Sequence, residues 1–126
     1  MGSHGDSMVA INRSKALPEG IFKESEALAM NRGAEILSYL KTTSAYFAPS
    51  AAVFCMLKSI LKNEGRTLCA SSYLQGQYGE SDIYIGVPSV LDSSGVREII
   101  EIELTNEEKK AFKKSAHGIR EAIKKL

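Results

Sequence analysis

The C-terminal third of the chain keeps two hydrophobic periods back to back, and each forbids the other's backbone. From Phe112, the residues Ala116, Ile119, Ile123 and Leu126 recur every three or four positions, which is one face of a helix. The opposite face carries Lys109, Lys110, Lys113, Lys114, Lys124 and Lys125. Thr105 stands at the N-cap position, and Glu108 three residues later completes the pattern of a capping box. Just upstream the period is two. Ile100, Ile102 and Leu104 oppose Glu101 and Glu103, so Val96 to Leu104 is expected to be a strand with one packed face and one wet face. Ile83, Ile85 and Val87 share one face of a second expected strand, Asp82 to Leu91. Asp92-Ser93-Ser94-Gly95 between them is turn chemistry. This end of the chain therefore reads as an antiparallel hairpin followed by an amphipathic helix.

Arg66 to Leu74 is a third expected strand, and Gln75-Gly76-Gln77-Tyr78-Gly79 is its Gly-rich turn. Two helices are expected before it. The first runs from about Phe22 to Lys41, on the spacing of Met30, Ala34, Leu37 and Leu40. Gly33 inside it costs about 1 kcal/mol against alanine and needs a packing or bending reason. Thr42, Thr43 and Ser44 break the pattern. The second helix runs from about Ala45 to Lys62, with Val53, Phe54, Leu57, Ile60 and Leu61 at helical spacing. Pro49 is tolerable only in its first turn. With Ala45, Ala48, Ala51 and Ala52 filling the remainder, the start of this helix is apolar around most of its girth, and burial is expected there. Residues 1–20 read as a short strand at Met8–Ile11, then a loop ending at Pro18-Glu19-Gly20. The fold expected is α+β, helices packed on an antiparallel sheet, in one domain over residues 1–126.

Composition narrows the function. With 16 Lys and Arg against 15 Asp and Glu, the net charge of +1 gives no pull toward nucleic acid or membrane. The basic face of the last helix is expected to be solvated, not to grip phosphates. The longest apolar run, Ala45 to Leu57, is interrupted by Pro49 and Ser50 and is too short for a membrane span. No signal-peptide pattern is visible. Cys55 and Cys69 have no partner at metal-ligand spacing and form no disulfide framework, so a reducing, cytoplasmic setting is expected.

Two segments carry candidate chemistry. In Gly2-Ser-His-Gly-Asp-Ser-Met-Val9, the glycines leave the His4 imidazole unhindered, and imidazole moves protons near neutral pH. The same residues also read as an idle surface histidine, or as residues left by an expression vector. Thr42-Thr43-Ser44 offers hydroxyls just before a helix, suited either to a substrate carboxylate or carbonyl or to plain N-capping. Gln75–Gly79 has neither phosphate-loop spacing nor a following helix. His117 receives no role, and no carboxylate pair stands out for acid/base work.

In combination and in order, these segments resemble the C-terminal half of the lactate/malate dehydrogenase family. Residues 2–9 resemble its active-site histidine motif. Arg32-Gly-Ala-Glu-Ile-Leu37 resembles its bent-helix motif. Lys41-Thr-Thr-Ser-Ala-Tyr-Phe-Ala-Pro49 resembles the malate-type run K-T-G-S-A-Y-Y-A-P. Tyr73-Leu-Gln-Gly-Gln-Tyr-Gly79, Asp82-Ile-Tyr-Ile-Gly-Val-Pro88 and Gly95-Val-Arg-Glu-Ile-Ile-Glu101 follow. The resemblance covers nearly the whole chain and favours His4 as a native family position.

What the resemblance implies is hydride transfer between NAD and a 2-hydroxy acid, malate to oxaloacetate. His4 would be proton acceptor and donor, Ser44 a substrate-pocket hydroxyl, and the helix after Pro49 a pocket wall. A homo-oligomer is implied as well. The choice of malate over lactate rests on the Lys41–Pro49 run. The family's Gly-rich cofactor-binding half, its substrate-clamping arginines and the aspartate that orients the histidine match nothing here. The stretch from Val9 to Gly33 is shorter than in most members, and Thr43 stands where the malate-type run has glycine. The chain alone is accordingly expected to be inactive. The rival expectation is a truncated, non-enzymatic domain keeping an oligomerisation surface, with apolar area exposed where the absent half would dock.

Overall fold

In the computed structural model, which describes residues 1–3, 7–11 and 17–126, the element order is helix, helix, three strands, helix. Helix α1 is Glu19–Leu40 and α2 is Phe47–Leu61. Strand β1 is Arg66–Gln75, β2 is Ser81–Asp92 and β3 is Gly95–Ile99. Helix α3 is Asn106–Ile123. The strands form one antiparallel sheet in the order β1-β2-β3. The α+β architecture expected from the two periods is the one observed.

The core lies between the sheet and α3. Ile83, Ile85 and Val87 project from one face of β2, as their alternation requires, and Leu74 joins them from β1. Phe112 and Ala116 of α3 close over them, together with Val9 and Leu104. The capping box of α3 is complete: the Glu108 amide donates to the Thr105 hydroxyl at 3.2 Å, and the Thr105 amide donates to the Glu108 carboxylate at 2.8 Å. Such a cap stabilises a helix by about 1 kcal/mol. At the far end of α3, Arg120 donates to Glu80 at 3.0 Å and to the Ser81 carbonyl at 2.7 Å. Both bonds tie the helix to the start of β2.

The third strand is shorter than expected. It ends at Ile99 instead of Leu104. The reason lies on β2. Its neighbouring edge at Gly86 is already taken by Gly2, with bonds of 2.7 and 3.1 Å, and the chain after Ile99 is diverted. The Ile100 amide still reaches the Pro88 carbonyl at 2.8 Å. Beyond it the Tyr78 hydroxyl takes over, donating to the Ile100 carbonyl at 2.7 Å and accepting from the Ile102 amide at 3.0 Å. Side-chain burial from Ile100 to Leu104 nevertheless alternates as the sequence predicts.

The N-terminal half departs further. Met8–Ile11 is not a strand but makes one bridge, Met8 with Gly2. Helix α1 starts at Glu19, three residues before the expected Phe22, with Pro18 as N-cap. No residue of α1 is buried, and a Cβ at Gly33 would meet nothing within 4 Å, so packing among the described residues supplies no reason for that glycine. The start of α2, expected to be buried, is exposed: Phe47 is 79% accessible and Phe54 65%. The one buried residue of α2 is Ser59. Its hydroxyl donates to the Leu91 carbonyl at 2.6 Å and accepts from the Arg66 amide at 3.1 Å, which pins the helix by its C-terminal end. No helix among the described residues is long and apolar enough to cross a membrane.

The β2–β3 turn is organised by Asp92. Its carboxylate accepts from the Ser94 hydroxyl at 2.6 Å and the Ser94 amide at 2.9 Å, with Arg97 at 3.1 Å. These bonds, the Ser94 hydroxyl first, hold the Asp92 carboxyl below its ordinary value. A lowered folded-state pKa contributes stability above the unfolded value, about 3.9, and loses it as pH falls through the folded one. The urea midpoint is therefore expected to fall on acidification below about pH 4. Asp92→Asn should shrink that acid loss, and an unchanged acid limb in the variant would contradict this assignment.

Candidate functional site

The N-terminal residues are placed by backbone contacts to distant elements. The Gly2 amide donates to the Gly86 carbonyl at 2.7 Å, and the Gly86 amide returns a bond of 3.1 Å. Met1 and Val9 exchange a second pair, each 2.8 Å. The Ser3 amide donates to the Ser115 hydroxyl on α3 at 2.6 Å. Two glycines make this crossing possible. Gly2 has φ of +89°, and a Cβ on Gly86 would stand 2.7 Å from the Gly2 carbonyl oxygen. The segment therefore meets the middle strand beside α3, with fixed backbone on both sides of residues 4–6. His4 itself lies outside the described residues.

Ser44 lies in the connection between α1 and α2. It is exposed, and its hydroxyl makes no hydrogen bond among the described residues. The plain capping role weighed for Thr42-Thr43-Ser44 is not observed. The N-cap of α2 is Tyr46, with no side-chain cap. Pro49 falls in the first turn, where its missing N–H costs nothing. The positive φ in this connection belongs to Lys41, at 57°, not to Thr43.

An open groove of about 640 Å³ runs between the starts of α1 and α3, lined by Val9, Phe22, Lys23, Glu26 and Glu107 among others. Among the described residues no cluster of His, Cys, Asp and Glu is able to hold a metal ion. Cys55 and Cys69 are free thiols. A dinucleotide does not fit these residues by themselves. Its usual cradle is a Gly-rich step from a parallel strand to a helix. Here the described sheet is antiparallel throughout, and Gln75–Gly79 turns from one strand to the next.

Sequence reasoning missed Ser115, Gly86 and Tyr78 as organising residues. Two of them left a signal. Ser115 is a polar residue at a core position of an apolar stripe, between Phe112 and Ala116. Gly86 interrupts an alternating strand, which often marks a close backbone approach.

The family model for the lactate/malate dehydrogenase alpha/beta C-terminal domain matches residues 1–126. The chain belongs to that family. It is 41% identical to a malate dehydrogenase of Desulforudis audaxviator, over 100% of this chain and 44% of the relative. That alignment extends over 135 positions, against 126 residues here. Among solved structures, malate dehydrogenase from Salinibacter ruber superposes with a TM-score of 0.91 at 35% identity, covering 98% of this chain and 43% of that one. Malate dehydrogenase from Plasmodium falciparum in complex with NADH gives 0.88 at 30% identity, covering 98% and 45%. The chain thus spans less than half the length of the relatives it matches. The helices and sheet described above are the C-terminal alpha/beta architecture of those enzymes.

Proposed function

We propose that the chain is the substrate-binding part of an NAD-dependent malate dehydrogenase. The observation that carries this reading is identity of 41% with a malate dehydrogenase over the full length of the chain. The histidine, Lys41–Pro49 and strand motifs support it by their order. Oxidation of malate to oxaloacetate removes a hydroxyl proton and a hydride from the same carbon. In this reading His4 takes the proton, and returns it in the reverse direction. The hydride goes to an acceptor that the described residues do not hold. Ser44, exposed just before α2, offers its hydroxyl to a substrate carboxylate, with the unpaired amides of the α2 N-terminus behind it.

One observation favours a second reading, a non-enzymatic association module. Helix α1 buries nothing and α2 buries only Ser59, while Phe47, Phe54, Leu57 and Leu61 stand in solvent. A patch of that kind demands a partner, either a cofactor-binding half or another copy.

Co-expression with the cofactor-binding half of a malate dehydrogenase relative separates the two. Oxaloacetate-dependent NADH oxidation is expected from the pair and not from the chain alone. If the relative's own C-terminal half restores activity in that assay and this chain does not, the enzymatic reading is lost. Concentration-dependent self-association with no activity would then favour the module.

A further inference from the structure

We propose that Ser115 is a positioning residue for proton transfer, an inference that rests on the role given to His4 above. Its hydroxyl accepts the amide N–H of Ser3, the residue immediately before His4, at 2.6 Å. The bond spans 112 positions of sequence, and Ser115 is 1% accessible. Nothing local calls for this hydroxyl. The helical stripe of α3 places an apolar residue at every other core position. The buried hydroxyl is satisfied there by the Ser3 donor.

The fit around the bond is close. A Cβ on Gly2 would stand 3.0 Å from the Ser115 Oγ and 3.0 Å from the Ser7 carbonyl oxygen. On the opposite side Gly2 is held to Gly86. The backbone of residues 2 and 3 is therefore clamped between β2 and α3 at two points, one provided by each element. The Gly86 clamp fixes distance from the sheet. The Ser115 clamp fixes the Gly2–Ser3 peptide plane, one residue before His4. A proton shuttle must hold its geometry to within a fraction of an ångström, since a misplacement of about 1 Å costs about 100-fold in rate.

The test uses the chain assembled with a cofactor-binding half. Ser115→Ala removes the acceptor, and exchanging the Ser3 amide for an ester in a semisynthetic chain removes the donor with no added bulk against α3. Each is expected to lower kcat by about 10- to 100-fold with KM changed by less than about threefold. The double variant should be no worse than the poorer single, because both delete one bond. Amide exchange at Ser3 should speed up in Ser115→Ala while the melting transition stays cooperative. A merely structural role would lower the melting temperature and leave kcat per folded molecule unchanged. If Ser115→Ala does not fold, the Ser3 ester decides the matter alone. An active native assembly whose folded variants keep kcat within twofold overturns the role of Ser115 only. An inactive native assembly overturns the functional reading and this one together.

Discussion

Replacing His4 by glutamine in the assembled enzyme is expected to slow both directions of the reaction by about 10²- to 10⁴-fold, the usual contribution of a positioned general acid or base. Glutamine keeps a hydrogen-bonding side chain of similar reach and cannot carry the proton. The pH dependence gives a second, independent reading. If His4 takes the hydroxyl proton, malate oxidation needs it neutral, so the rate should rise with pH. On the same proposal oxaloacetate reduction needs the imidazolium, so its rate should fall as pH rises. The two limbs therefore run in opposite senses, and both should flatten in His4→Gln. Initial rates from pH 5.5 to 9 in both directions measure this. A variant within a few-fold of the native assembly, with its pH limbs intact, would remove His4 from the mechanism. The idle surface histidine would then be the better reading of residues 2–9. Ser44→Ala makes a contrasting case: under the role proposed for it the expected effect is on KM, because a group that only binds substrate moves no proton.

Legibility in the sequence followed the range of the physics. Helix α3 was readable to the residue at its start, because a capping box and an apolar stripe are local signals. The buried face of β2 was readable for the same reason. Strand β3 was overextended because alternation reports burial, not hydrogen bonding. Ile100 to Leu104 keep the alternation, but the Tyr78 hydroxyl and the Gly2 segment occupy the places of a longer ladder. No local pattern announces a contact between Gly2 and Gly86. Helix α2 was misread in a more instructive way. Its apolar girth does call for burial, but no described part of this chain covers it. The sequence carries the demand for a partner surface, and the fold of these residues leaves it unmet. The roles proposed for His4 and Ser44 rest on resemblance alone. An isolated histidine among glycines and a serine before a helix are each common without function.

Phe112→Ala is expected to be the most damaging single change to the fold. Phe112 is 1% accessible and sits where α3 meets Ile83, Ile85 and Leu74. Truncating a buried phenylalanine costs about 3–5 kcal/mol, from lost transfer energy and the cavity left behind. Total stability of a domain this size is about 5–15 kcal/mol, so most of it is at stake. The damage should also spread. The Phe112 ring lies 5.2 Å from that of Tyr78. Tyr78 in turn bonds both Ile100 and Ile102, and so holds the chain between β3 and α3. Loss of the ring removes the wall against which that tyrosine packs. Phe54→Ala gives the internal control. It deletes the same side chain from α2, where 65% of the residue is already in solvent. In the isolated chain that change should cost no more than about 0.5 kcal/mol. Thermal melts followed by circular dichroism should show a fall of about 10–25 °C for Phe112→Ala and little change for Phe54→Ala. Equal shifts would mean that the core is not where α3 and β2 place it. In the assembled enzyme the contrast should narrow, because a partner that covers α2 takes Phe54 out of water and gives its removal a cost of its own.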